Sequence, residues 1–203
     1  QSAISLEVLN RGGGTTAAQV RPFVWTQHGD NDELTPTDDV VVSPPIFTVP
    51  EGESQVIRVL LRIRSKGGSE RYYRLLIDQV PPPAQNHQVV FAIRASIPIF
   101  VDSADGGRAE LRWRAERTAN GQIVFAATNT GRRYAAIESL QVALPDGKRG
   151  EAQPMGQNSY VLPGAERRWT SPDRGSAGRG GQVHVTVSTT QAGRVEQDIP
   201  LPP

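Results

Sequence analysis

The sequence predicts an all-β chain folded as two sandwiches in tandem, and three observations carry that expectation. Apolar residues recur at every second position in segment after segment, which is the period of a strand with one buried face. No stretch shows the three-to-four-residue spacing of an amphipathic helix. Glycine (20) and proline (16) are frequent among the 203 residues and punctuate the alternating segments, as expected for short strands joined by turns.

The first segment, ISLEVLNRGGGTTAAQVRPFVWTQ, reads as two strands around a Gly-rich turn, with Ile4, Leu6 and Val8 on one face and Phe23 and Trp25 on another. SQVIRVLLRIR sets Ile57, Val59, Leu61 and Ile63 on one side and Arg58, Arg62 and Arg64 on the other, the signature of a sheet with one solvated face. RYYRLLIDQVPPP repeats it with Tyr73, Leu75 and Ile77 and stops at Pro81 to Pro83, because proline cannot donate to a ladder. A Pro-rich loop then leads to His87.

The next segment, VVFAIRASIPIFV from 89 to 101, alternates like a half-buried strand but is apolar on both faces and carries Arg94. DSADGG, Asp102 to Gly107, is polar and ends in glycine, which suits a joint between domains. The expected domains are therefore 1–102 and 106–203. Beyond the joint, AELRWRAE, QIVFAATNTG, IESLQVALPDG, SYVLPGAERRWT and GQVHVTVSTT are short strand candidates separated by turn residues, a spacing that suggests an antiparallel sandwich. The glycines between Asp173 and Gly181 read as a loop.

Composition narrows the function classes. Formal net charge is +1, with 22 basic and 21 acidic residues and no long basic run, so nucleic acid is not an expected partner. There is no cysteine, which excludes disulfides and thiolate metal sites. No apolar run approaches the ~18 residues that span a bilayer, and the opening QSAISLEVLN lacks a charged leader with an apolar block. The expectation is a soluble chain with any leader removed and no membrane insertion.

Signs of catalysis are weak. His28, His87 and His184 lie far apart, without ligand spacing to one another, so no metal is expected. No G-x-S-x-G or phosphate loop occurs, and the pair Asp38 and Asp39 falls in a turn-like stretch, where carboxylates solvate backbone. Trp25, Trp113 and Trp169 sit in alternating contexts and read as packing residues. No enzyme activity and no cofactor are expected.

One combination goes further. Ser43 to Phe47 (SPPIF), Pro50 to Arg58 (PEGESQVIR) and Val80 to Pro82 (VPP) occur in this order ahead of the apolar strand. Together they resemble the periplasmic pilus chaperones of the chaperone-usher pathway. TNTG, Thr128 to Gly131, and YVLPGAERRW, Tyr160 to Trp169, look like the second domain of these proteins, especially in the branch serving archaic pili.

The resemblance implies two immunoglobulin-like sandwiches in an L or boomerang arrangement. It also implies a periplasmic, non-enzymatic chaperone that binds pilin subunits by donor-strand complementation and delivers them to an outer-membrane usher. The donor strand would present Val89, Phe91 and Ile93 at every second position, and Arg94 would be the cation that grips the subunit's C-terminal carboxylate. Better-known members place a lysine two positions further on, where this chain has Ser96. A second anchoring arginine normally lies on a leading strand upstream of QSAISLEVLN, so the first domain is expected to lack its leading strand here. Without a client, an oily edge of this kind invites a self-capping dimer or cover by the loop from Pro81 to His87.

The residues alone leave a second reading open: a secreted two-domain β-sandwich adhesion or carbohydrate-binding module, with aromatic residues on a concave face.

Overall fold

The computed structural model describes residues 3–62, 70–81, 91–102, 106–174 and 181–202. Several features singled out above lie outside those residues: Ile63 and Arg64, the proline loop from Pro82 through His87, Val89, the joint from Ser103 to Asp105, and 175–180 of the Gly-rich loop. Among the described residues the chain is all strand and turn, without a helix. It forms two compact units, one from residues 1–25 and 34–105 and the other from 26–33 and 106–203.

The first unit is a sandwich of two antiparallel sheets. β1 (Ala3–Leu9), β6 (Ser54–Leu61) and β4 (Val40–Ser43) make one sheet in the order β1-β6-β4. β2 (Thr16–His28), β3 (Asn31–Pro36), β7 (Arg71–Val80) and β8 (Arg94–Val101) make the other in the order β3-β2-β7-β8, and β5 (Ile46–Val49) pairs with the start of β2.

Alternation puts Ile57 and Val59 of β6, Tyr73 and Leu75 of β7, Val20 of β2 and Phe47 of β5 into one core. Each such side chain contributes about 1.5–3 kcal/mol when it leaves water. The expected pair of strands around the Gly-rich turn is present, but as β1 in one sheet and β2 in the other rather than as a hairpin. Arg58 faces outward and Pro50 opens a turn that Glu53 N–H closes on the Pro50 carbonyl at 3.2 Å. Gly52 takes φ 74° there, which a side chain would resist.

The second unit is also a sandwich. β9 (Leu111–Arg117), β10 (Gln122–Asn129), β13 (Gln153–Pro154) and β15 (Glu166–Arg174) form a sheet in the order β13-β15-β10-β9. β11 (Ala135–Ala143), β12 (Arg149–Glu151), β16 (Gly181–Thr189) and β17 (Gly193–Leu201) form the facing sheet in the order β12-β11-β16-β17, with β14 (Tyr160–Val161) added to β11. Phe125, Trp169, Leu140, Val185 and Ile199 meet in its core, and Trp113 lies 5.3 Å from Trp169 between ring centroids.

The expected strand SYVLPGAERRWT is in fact two strands. A turn at Pro163–Gly164, closed by Ala165 N–H to the Leu162 carbonyl at 3.0 Å, carries the chain from the β11 sheet to the β10 sheet. β17, unnoticed in the sequence, has a polar Gln197 in the middle of its apolar period. Its pairing with β16 along its whole length defines it.

One corner occurs in both sandwiches. Asn10 accepts from Gly12 N–H at 3.0 Å and donates to the carbonyls of Gly14 at 2.7 Å and Val49 at 3.0 Å. Asn129 accepts from Gly131 N–H at 3.0 Å and donates to Arg133 at 2.7 Å and Val161 at 2.9 Å. An asparagine amide thus satisfies backbone groups that a sharp turn would otherwise leave unpaired.

Candidate functional site

The site is built on β8. This strand lies at the end of its sheet and, among the described residues, pairs only with β7, from Asp78↔Arg94 to Arg71↔Val101. No described strand pairs with its other edge, the kind of edge on which a further strand can form.

Ile97, Ile99 and Val101 lean on the core of the first unit. The same spacing carried backward gives Ile93 and Phe91, yet these are 71% and 84% exposed. Of the strand expected over 89–101, the described part is regular from Arg94, and residues 91–93 lie outside the ladder although β7 runs on to Val80, opposite Ala92 in register; Pro81, next along, has no N–H to continue it. One further bond, from Gln79 N–H to the Ile93 carbonyl at 2.9 Å, and another from Ile93 N–H to the Gln79 side chain at 3.3 Å, hold the approach to the strand. Phe91 and Ile93 therefore stand in register with a core they do not reach.

Beside β8, where the two sheets of this unit face each other, lies a cavity of about 480 Å³ lined by Ile4, Val40, Val59, Leu61, Ile99 and Val101 among others. The edge of β8 thus combines a side that no described strand pairs, exposed apolar side chains and an apolar recess.

Arg94 points to the opposite face. Its Nε–H donates to the Asp78 carboxylate directly across the ladder, and Arg21 of β2 donates to the other oxygen of Asp78 at 2.7 Å. Asp78 is held below the ordinary aspartate range, first by the Arg94 hydrogen bond and further by Arg21, against the opposing pull of burial. Arg21 also lies over the Phe23 ring at 5.7 Å. Two guanidinium groups around one carboxylate leave a net positive cluster capable of charge-assisted pairing with another anion. Arg21 was missed in the sequence, since only the β2–β7–β8 register shows that it lies opposite Leu76, diagonal to Asp78 on the same face.

Of the residues predicted for the site, the structure places Phe91 and Ile93 together and Arg94 on the reverse face, while Val89 lies outside the described residues. Among the described residues no three metal-ligating side chains converge.

Comparison with known proteins bears on what such an edge is for. Residues 1–104 match the family model of the pili and flagellar-assembly chaperone, PapD N-terminal domain. No relative among curated proteins is found by sequence similarity. A chain of the CsuC–CsuE chaperone–tip adhesion subunit pre-assembly complex, from the archaic chaperone-usher Csu pili of Acinetobacter baumannii, is similar over 98% of this chain and 91% of its own, with 21% identity and a TM-score of 0.66. The Pseudomonas aeruginosa CupB2 chaperone is similar over 99% and 93%, with 21% identity and a TM-score of 0.59. A chain of the Salmonella enterica SafA pilin–SafB chaperone complex is similar over 98% and 88%, with 18% identity and a TM-score of 0.62. At these identities the likeness establishes the fold, two immunoglobulin-like sandwiches, while the family rests on the match over residues 1–104: this chain belongs to the pili and flagellar-assembly chaperones.

Proposed function

We propose that the protein is a periplasmic chaperone of an archaic-type chaperone-usher system. In this reading it holds pilin subunits folded by completing their sheets with β8 and the residues before it, and passes them to an outer-membrane usher. The observation that carries the reading is the exposure of Phe91 and Ile93 at the head of a strand whose far edge no described strand pairs. A subunit lacking its last strand exposes an apolar groove and a row of free amides and carbonyls, and the donor must answer both.

Val89, Phe91 and Ile93 supply the apolar side. Burial of the exposed pair stabilises the complex by about 1.5–3 kcal/mol for each side chain before ordering costs. The strand edge supplies the backbone side. Arg94 is the proposed grip on the subunit's terminal carboxylate, with Arg21 beside it. To serve, the two guanidinium groups must exchange Asp78 for the incoming carboxylate or share themselves between the two. The role requires no catalysis and no cofactor, and the domains acting in it are 1–102, which carries the donor strand, and 106–203.

The test is co-expression with a pilin subunit lacking its own final strand. The wild-type chain is expected to keep that subunit soluble and to co-purify with it, and the Phe91→Glu, Ile93→Glu double variant is expected to lose both properties while remaining folded. Unchanged rescue by the double variant overturns the donor-strand role.

A further inference from the structure

The second sandwich is not closed along its whole length. β9 ends one of its sheets and β17 the other, and the inward-facing residues of each strand divide into a sealed half and an open half. On β17, Ile199 and Leu201 are buried, whereas Gln197, turned to the same side by the alternation of a strand, is exposed. On β9, Ala115 is buried, whereas Leu111 and Trp113 pack against the same core but keep part of their surface in water. Between the open halves lies a cavity of about 420 Å³, wholly within this unit and of the size that small molecules occupy.

The walls of the cavity are built in advance. Leu111, Trp113, Tyr134 and Val187 line it. Trp113 stands against Trp169 at 5.3 Å and Tyr134 against Tyr160 at 6.1 Å between ring centroids, which fixes both rings. The turn after β16 is pinned by three bonds: Ala136 N–H to the Gln191 side chain at 3.1 Å, Thr190 N–H to the Ala136 carbonyl at 3.1 Å, and Ala192 N–H to the Thr189 hydroxyl at 3.0 Å. The charge beside these walls has one sign. Arg108 and Arg133 line the cavity, and among the described residues no aspartate or glutamate does. Arg108 also donates to Glu110 at 3.3 Å, but these side chains are 85% and 52% exposed, a setting in which an ion pair contributes little and yields to a better one.

We propose that this cleft binds a medium-chain fatty acid, its tail between β9 and β17 and its carboxylate at Arg108 and Arg133. A flexible saturated tail fits walls of leucine, valine and aromatic ring faces, and each methylene that it takes out of water there adds to affinity. The carboxylate fits guanidinium groups, whose paired N–H bonds match its two oxygens. Gln197, on the exposed part of the inward row, lines the same cavity and brings an amide donor. An uncharged tail of equal length forfeits the pairing, and a short carboxylate forfeits the burial. The site shares no residue with β8, so it stands or falls separately from the donor-strand role.

Titration of the isotope-labelled full chain with decanoate, below the concentration at which it forms micelles, tests this through backbone amide and indole N–H resonances. Those of Leu111, Gln197 and the Trp113 indole are expected to shift together and to saturate at one ligand per chain, with those of Phe91 and Ile93 unmoved. Decanol, the same tail without charge, is expected to bind at least about tenfold more weakly, and acetate to leave the three resonances in place. Arg108→Gln with Arg133→Gln is expected to raise the decanoate Kd about tenfold and to leave that of decanol unchanged, which also shows that the cleft is intact. Shifts that never saturate, or that spread over both units, overturn the site. Equal Kd values for decanoate and decanol, or an unchanged decanoate Kd in the Arg108→Gln, Arg133→Gln variant, overturn the carboxylate head. An acetylated peptide ending in leucine that shifts the same resonances at lower concentration than decanoate overturns the fatty acid in favour of a protein C-terminus.

Discussion

Asn10 and Asn129 turn the chain in the same way at corresponding corners, yet the strands that close the two sandwiches, β8 and β17, obey opposite rules. Each is the last strand of its unit and each lies at the end of a sheet, paired with a single neighbour. β17 presents Arg194, Glu196 and Asp198 along its solvent face, with Arg194 and Glu196 paired at 2.9 Å and Asp198 bonded to His184 at 2.8 Å. Charge of this kind blunts an edge against strand addition. β8 has one charge at its head, Arg94, which Asp78 engages on the outer face, and its approach exposes Phe91 and Ile93. An oily edge in a protein that blunts its other terminal edge is the contrast that the donor-strand proposal requires, and it says where a partner strand would go.

The corners differ too, in how closely they are packed. A side chain at Gly131 would place its Cβ 2.3 Å from the Arg108 carbonyl oxygen and 2.5 Å from Glu110 N, whereas one at Gly12 would come no nearer than 3.3 Å to the Asn10 side chain. The segment Arg108–Glu110 clasps the second corner, and the first has no such clasp among the described residues.

The largest effect expected from breaking the comparison is at β8. Phe91→Glu with Ile93→Glu should lower the yield of soluble co-expressed pilin at least tenfold, with the melting temperature of the free chaperone unchanged within ~1 °C, since exposed positions contribute little to folding. The matched change on β17, Val195→Glu, should leave pilin yield unaltered, and an equal loss there would erase the distinction between the edges.

Next come the corners. Gly131→Ala should destabilise the second unit by about 2–4 kcal/mol, because backbone and not a flexible side chain blocks the Cβ. Gly12→Ala should cost less than about 1 kcal/mol. Denaturant unfolding of the two variants checks the ranking, and equal losses would mean that the clasp carries no weight.

A smaller effect belongs to Asp78. Because its folded-state pKa is depressed, its contribution is present above the unfolded value of about 3.9 and is lost as pH falls through the lower folded value. Asp78→Asn should therefore lower stability at neutral pH by roughly 0.5–1 kcal/mol, the range for partly exposed ion pairs, and the deficit should shrink as the solution becomes strongly acidic. Melting temperature against pH, for the variant and the parent, measures it. A deficit that persisted in strong acid would show that the residue acts by packing. Val195→Glu should change stability least, within about 0.5 kcal/mol.

Much of this was legible in the sequence, for reasons that also set its limits. Period two in β6 and β7 identified their core faces, because burial on one side of a sheet acts through local spacing alone. The same alternation carried the expected strand through Phe91 and Ile93, which fit the pattern but lie ahead of β8, because pairing and not spacing alone decides where a strand begins. Arg94 could be singled out by its charge. Its partners Asp78 and Arg21 could not, because Arg21 and Asp78 are 57 residues apart and meet only through register. Composition pointed to a joint near 102–107. It could not show that residues 26–33 group with the second unit, where Asp30 accepts from the Arg168 backbone at 2.9 Å and side chain at 2.7 Å.

That grouping bears on how the molecule can be divided. Arg167 is 1% exposed, and its charge is answered by Asp32 on the short hairpin tip from near the start of the chain. A fragment trimmed to residues 106–203 would keep nearly every strand of the second unit and yet lose Gly29 and Asp32, which accept from the Arg167 guanidinium and help to cover it. The covalent boundary and the thermodynamic one do not coincide, so excision at the glycines near residue 106 would not yield a self-sufficient module.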